Sequence, residues 1–576
     1  MLVPLFSAVA VLAATVVPAT AAPTTATAVP PTAAPAFAAP AAAGESGTAG
    51  SPRSPGGDGP VVRTDHGLVR GVPHGSYSTY DGIPYAAPPT GSRRWRPPAP
   101  AAPWSGVRDA TAQGRRCVQM PAPGADTVVG SEDCLYLNVT APTHKPTSAP
   151  PQAGRKRPVL VWLHGGAFLG GSGNDFDAAH LAVRGDAVVV TVNYRLGVFG
   201  YFAHPGLGSA VPFGLADQQA ALRWVKANAE QFGGDPRNVT LFGESAGALG
   251  ICAHLTSPAA AGLFQRAVLQ SGSCFMSFPR GALGPATPAY EPFAPQRDVE
   301  TAGAEAARQL GCTAGGAGEV LACLRGTGTD RLATPVLMQS FNRPAYGNAL
   351  LPTAPDEALR AGRFHRAPLV QGTNHDEMRM FVGLSLAAFP LRTEEDYRAR
   401  LADAFGSTAA AVEAQYPVAE HPTPALAWAA VLTDRSMACT TLAADRAIAA
   451  HAPGLPLYGY EFSDPAAPTP TGLPANPDFP YGTAHGFELP YLFPSIPTER
   501  PLSEAQQALS RQMADYWTNF ARTGTPNGPG SPPWAALRPA SPYSGPVQSL
   551  APGSGAIHPV DADTAHHCRF WDSLSR

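Results

Sequence analysis

The stretch Asn238-Val239-Thr240-Leu241-Phe242, running into Gly243-Glu244-Ser245-Ala246-Gly247, decides the reading of this 576-residue chain. Its first half is short, apolar and β-branched, and a glycine follows it. That pattern predicts a strand buried on both faces. Residues 246–255 are compatible with a helix. The chain must therefore pass from strand to helix at Ser245, and so sharp a turn closes only around small side chains. Glycine stands two positions before the serine and two positions after it. Such a serine sits on strained backbone at a helix N-terminus, where free N–H groups and the helix dipole favour a developing negative charge. With 59 glycines in the chain, the Gly-x-Ser-x-Gly spacing alone means little. The strand before it and the helix after it supply the weight.

Outward from this unit the texture repeats. Pro158-Val159-Leu160-Val161-Trp162-Leu163 and Ala187-Val188-Val189-Val190-Thr191-Val192 are further short apolar runs bounded by turn residues. Residues 215–232 place Leu222, Val225 and Ala229 on one helical face. Strands alternating with helices predict an α/β protein with a large, mainly parallel central sheet. The first run ends in His164-Gly165-Gly166-Ala167-Phe168, a turn able to offer backbone N–H groups to an oxyanion.

A serine hydroxyl is a weak nucleophile without a base. On a strand–elbow–helix scaffold the expected chain order is Ser, then acid, then His. His254, His365, His375, His421, His451 and His485 all lie downstream, and spacing alone does not choose among them.

The net charge of -3 argues against a nucleic-acid partner. Residues 2–17 form an apolar run followed by Pro18-Ala19-Thr20-Ala21-Ala22, which reads as a signal peptide over residues 1–21. The run lacks a basic flank and falls short of the ~20 residues of a membrane span, so no stable membrane insertion is expected after cleavage. Residues 22–59 are rich in Ala, Pro, Thr and Gly and predict a disordered linker. Residues 60–576 are expected to form a single catalytic domain, secreted to the outside of the cell. Eight cysteines suit an oxidising compartment. No Cys-x-x-Cys or clustered Cys/His spacing suggests zinc. Asn138 and Asn238 begin glycosylation acceptor triplets, but both fall in expected core strands and are read as structural.

Longer segments carry a resemblance. Gly82-Ile83-Pro84-Tyr85-Ala86-Ala87-Pro88-Pro89, Ser131-Glu132-Asp133-Cys134-Leu135-Tyr136-Leu137-Asn138, and Phe232-Gly233-Gly234-Asp235-Pro236 leading to Ser245 together resemble the type-B carboxylesterases, a family on the α/β-hydrolase fold that includes cholinesterases and bacterial p-nitrobenzyl esterases. The resemblance spans roughly residues 61–574. It implies a catalytic triad of Ser245, Glu377 and His485. The acid lies in Gly372-Thr373-Asn374-His375-Asp376-Glu377, with Asp376 as the alternative, and the base in His485-Gly486-Phe487-Glu488-Leu489-Pro490. It implies oxyanion donors at Gly166, Ala167 and Ala246, a tuning role for Glu244, and support of the acid by Ser271. It also implies disulfides Cys117–Cys134, Cys312–Cys323 and Cys439–Cys568, leaving Cys252 and Cys274 open, and buried ion pairs Arg94–Glu132 and Arg195–Asp217.

The implied activity is hydrolysis of small to medium carboxylic esters through an acyl-enzyme, with no cofactor or metal. A lipase or polyester hydrolase is one alternative, though the loop between Cys117 and Cys134 is short for a lid. It also contains no Trp to form a choline site. A non-catalytic binding protein is the alternative from another class; members of that kind lack the nucleophile. The natural substrate and the oligomeric state are not legible.

Overall fold

The computed structural model describes residues 59–121, 127–143, 156–208, 212–537 and 546–574. The expected signal peptide and nearly all of the expected linker lie outside them. Eleven strands form the central sheet: β1 (Val72–Pro73), β2 (Tyr77–Pro84), β3 (Tyr136–Pro142), β4 (Arg157–Leu163), β5 (Val188–Val192), β6 (Gly234–Glu244), β7 (Arg266–Gln270), β8 (Leu369–Asn374), β9 (Leu457–Phe462), β10 (Val547–Leu550) and β11 (Pro559–Val560). Their spatial order is β11-β10-β9-β8-β7-β6-β4-β5-β3-β2-β1. The strands from β10 to β5 are mutually parallel. Antiparallel strands finish both edges.

This is the α/β-hydrolase fold expected from the sequence. The all-apolar runs became interior strands because helices cover both faces: every residue of β5 is buried, and in β4 only Arg157 is not. β6 is longer than the predicted 238–242. It begins at Gly234, paired with Arg157 across a register shift, and continues to Glu244. The helix expected over 215–232 runs Phe213–Asn228. Its last turn, Ala229–Phe232, tightens to a 3-10 helix and closes on Gly233 at φ 82°.

The middle of the sheet is anchored by Trp162 on β4. It packs against Phe242 on β6 at 4.8 Å and against Phe493 at 4.9 Å between ring centres. Burying aromatics of this size contributes about 1.5–3 kcal/mol each, and here it fixes the two strands whose ends carry the site. Two buried ion pairs brace the surroundings. Arg94 grips Glu132 at 2.7 and 2.6 Å, and Arg195 grips Asp217 with two bonds of 2.7 Å.

All eight cysteines are paired. The three expected disulfides form, and Cys252 pairs with Cys274, joining the helix after Ser245 to the segment after β7. Asn138 is buried, hydrogen-bonded to Asn174, Thr191 and the Gly82 N–H, and Asn238 accepts from Arg266, so both side chains are engaged structurally. Among the described residues no helix is long and apolar enough to cross a membrane.

Candidate active site

β6 and β4 end side by side, with Leu163 paired to Gly243, so the serine turn and the His-Gly-Gly turn emerge at the same edge of the sheet. Ser245 has φ 54° and ψ -121°, a left-handed-side conformation that costs a non-glycine residue about 1–3 kcal/mol. Packing enforces it. A Cβ on Gly243 would lie 2.6 Å from the Leu163 carbonyl oxygen, and one on Gly247 would collide with the same atom. The Ser245 N–H is tied to the Gln270 carbonyl on β7 at 2.9 Å. The helix Ala246–Thr256 starts at once, and its first N–H, on Ala246, has no intrahelical acceptor.

The His-Gly-Gly turn is equally constrained. Gly166, Ala167 and Phe168 all have positive φ, at 106°, 52° and 59°. Leu169 and Gly170 N–H groups close back on the Gly166 carbonyl at 2.8 and 3.0 Å. This folds the turn so that the N–H groups of Gly166 and Ala167 take no partner among the described residues. His164 lies under Tyr194, ring on ring at 4.3 Å, and bonds the Gly165 carbonyl at 2.8 Å. Burial lowers its pKa to about 4, so it is neutral and structural. The loop closed by Cys117–Cys134 supports the turn from the other side, Gln119 exchanging bonds of 3.0 and 3.1 Å with Gly171.

His485 comes from a loop before the short helix Leu489–Leu492 and is buried. Its Nδ1 is 2.6 Å from Glu377 Oε2. Glu377 is wholly buried, and its Oε1 accepts from the Asn374 N–H at 2.9 Å. The His485 N–H returns to the Glu377 carbonyl at 3.2 Å. On the far side of the ring, Nε2 lies 3.0 Å from Glu244 Oε1, but the two are not aligned as a hydrogen bond. Burial disfavours the imidazolium; the carboxylates of Glu244 and Glu377 outweigh it and hold His485 well above its ordinary pKa.

Asp376, the alternative acid, faces elsewhere. Its Oδ2 accepts from the Thr483 N–H and hydroxyl at 3.1 and 3.0 Å, and its Oδ1 pairs with Arg379 at 2.8 Å. It clamps the histidine loop to the acid turn. Ser271 departs from expectation. Its Oγ is buried without a hydrogen-bond partner, on backbone at φ 51° whose N–H bonds the Gly372 carbonyl at 2.8 Å.

Four residues beneath the His485–Glu377 pair escaped the sequence reading. Glu488, one turn beyond His485, accepts from Asn374 Nδ2 at 2.7 Å and Gln270 Nε2 at 3.1 Å, while Trp517 donates to Gln270 at 2.9 Å. Burial pushes Glu488 up to about 7, with Glu244 and Glu377 adding to the rise. Glu488 and Asn374 lie in the His485–Pro490 and Gly372–Glu377 segments, which was the signal available for them.

The fold, and a serine turn set against a buried His–Glu pair, define an α/β-hydrolase. The chain belongs to the carboxylesterase family, which it matches over residues 58–571. It is 32% identical over 484 residues to the acylcarnitine hydrolase of Mus musculus, covering 80% of this chain and 81% of the relative. It is 33% identical over 493 residues to the fumonisin B1 esterase of Sphingopyxis macrogoltabida, covering 81% and 82%. Against the cocaine esterase of Oryctolagus cuniculus it is 32% identical over 507 residues, covering 82% and 90%. The protein is a carboxylic ester hydrolase, and its four disulfides suit an oxidising compartment.

Proposed function

We propose that this enzyme is secreted and hydrolyses small to medium carboxylic esters with Ser245 as nucleophile, His485 as general base and Glu377 as the acid that orients it. One observation carries the reading: a serine held on strained backbone beside unpartnered N–H groups, with the 2.6 Å His485–Glu377 bond in the neighbouring loop. His485 Nε2 takes the Ser245 proton as Oγ adds to the ester carbonyl. The oxyanion is received by the N–H groups of Gly166, Ala167 and Ala246, each donor worth about 10²–10³ in rate. His485 then gives its proton to the leaving alcohol. Water, deprotonated in turn by His485, adds to the acyl-enzyme, and His485 returns that proton to Ser245 Oγ as the carboxylic acid leaves. Glu377 holds the ring's orientation and, with Glu244, stabilises the imidazolium that forms in both steps. No cofactor enters this scheme.

Two assays test it. Ser245→Ala should lower kcat on p-nitrophenyl butyrate by about 10⁴ or more and abolish labelling by a fluorophosphonate probe. Retention of most activity would remove Ser245 from the role. A p-nitrophenyl series from acetate to palmitate should favour the short and middle chains. A jump in rate above the solubility limit of a triglyceride would favour a lipase instead.

A further inference from the structure

On the far side of the acid turn, three ligand-type side chains converge. One donor atom each from His375, Glu461 and His566 lies within 4.8 Å of the others. The residues come from the turn after β8, from β9 and from the C-terminal segment before Cys568. Glu461 Oε1 is 3.2 Å from His375 Nδ1, and Glu461 Oε2 is 2.5 Å from His566 Nε2. The geometry points to a zinc-class divalent metal site formed by His375, Glu461 and His566.

Several independent features fit that occupant. Two imidazoles that ligate one tetrahedral zinc at about 2.0–2.1 Å put their ring centres about 5 Å apart; those of His375 and His566 are 5.3 Å apart and inclined by 53°, a convergent rather than a stacked arrangement. Neighbouring donors of such an ion stand about 3.3 Å from each other, which the His375–Glu461 pair already matches. The His566–Glu461 pair needs to open by under an ångström. The outer partners are also in place. A ligating histidine normally gives its second ring nitrogen to a carboxylate or carbonyl, which sets the tautomer, and His566 Nδ1 is 2.6 Å from Asp434 Oδ1. Asp434 is itself held by the Tyr416 hydroxyl at 2.7 Å, and Glu461 by the Ser463 hydroxyl at 2.9 Å.

Access is open on one side only. His566 and Glu461 are buried, whereas the His375 side chain is 49% exposed. A cavity of about 250 Å³, also lined by His421 and His567, reaches the cluster and leaves room for a water as fourth ligand. On binding, the ion replaces the proton between His566 and Glu461, and that proton passes to solvent. Imidazole with carboxylate selects zinc over calcium or magnesium. Because His375 directly precedes the Asp376–Glu377 pair, an occupied site would stiffen the turn that carries the acid.

The test uses the full chain, stripped with a chelator and dialysed. Titration with zinc chloride against a chromophoric competitor should show one ion per chain in the micromolar range or tighter, with calcium chloride giving none. His375→Ala, at a half-exposed position, should weaken zinc binding by about tenfold or more and remove the rise in Tm that zinc produces in the parent. Asp434→Asn, which keeps an acceptor for His566 but not its charge, should weaken it in the same direction. Absence of saturable zinc binding, equal binding by the parent and both variants, or calcium binding as strong as zinc would each overturn the site. His566 would then be a metal-free cation between two carboxylates.

Discussion

His485 and His566 are both buried, and both stand between two carboxylates. Their Nδ1 bonds are alike, 2.6 Å to Glu377 and 2.6 Å to Asp434. The difference is at Nε2. In His566 that nitrogen is aligned on Glu461 at 2.5 Å, so both ring nitrogens are engaged within the protein. In His485 it is near Glu244 but unaligned, so one nitrogen remains available to a substrate or a nucleophile. In the metal-free protein the two histidines therefore differ by one misdirected contact at Nε2, not by burial or by nearby charge.

The sharpest way to break this comparison is at the shared element. Glu377→Gln should lower kcat/KM by about 10⁴, since the amide offers no charge to the imidazolium and can impose the wrong tautomer. A steady-state assay on a p-nitrophenyl ester reads it directly, and near-parental activity would disqualify Glu377 as the acid. The corresponding cut in the other constellation should be felt in folding. His566→Ala removes the cationic partner that Asp434 and Glu461 share, leaving Asp434 with the Tyr416 hydroxyl and Glu461 with His375 and Ser463, and should cost about 3 kcal/mol, read in the urea midpoint of metal-free protein. Asp376→Asn is milder. It loses the Arg379 pair and loosens the hold on Thr483, so kcat should fall by about 10-fold to 100-fold with KM little moved. If it inactivates the enzyme while Glu377→Gln does not, the two carboxylates exchange roles.

The smallest effect concerns pH. In the proposed mechanism the neutral form of His485 is the base, and its pKa is held high by Glu244 and Glu377 against the opposing effect of burial. Activity should therefore be absent while the ring stays protonated and should grow as pH rises through that pKa. Glu244→Gln removes one of the two raising charges, so the acid limb of the kcat/KM profile should move to lower pH. A limb that stays in place would mean that the 3.0 Å contact carries little electrostatic weight.

How legible each region was follows from how local its chemistry is. The strand, turn and helix that carry Ser245 lie within about twenty residues, and the steric demands that the Leu163 carbonyl makes on the turn are written there as glycines at fixed offsets. Hence Ser245, the following helix and the His-Gly-Gly turn could be read from residue types. Glu377, His485 and the Cys439–Cys568 pairing needed family resemblance because more than a hundred residues separate the partners, and Cys117–Cys134 and Cys312–Cys323 needed it because spacing does not choose among the pairings of eight cysteines. The support beneath the His485–Glu377 pair shows where such reading stops. Gln270, Asn374, Glu488 and Trp517 meet only once β7, β8 and the helix Glu504–Thr523 are packed together, and no spacing announces them. Ser271 lies in the segment to which the resemblance pointed, and its buried hydroxyl has no hydrogen-bond partner. The His375, Glu461 and His566 cluster was invisible for the same reason as Glu488, since its members come from three distant segments.

The link between Cys439 and Cys568 closes a stretch of 129 residues, and His485 lies inside it while Ser245 and Glu377 lie outside. A protease that cuts any loop between those two cysteines leaves a single covalent molecule. The nick would show on a gel only after reduction. Clipped in that half, the protein would still carry His485 on one tethered body with Ser245 and Glu377.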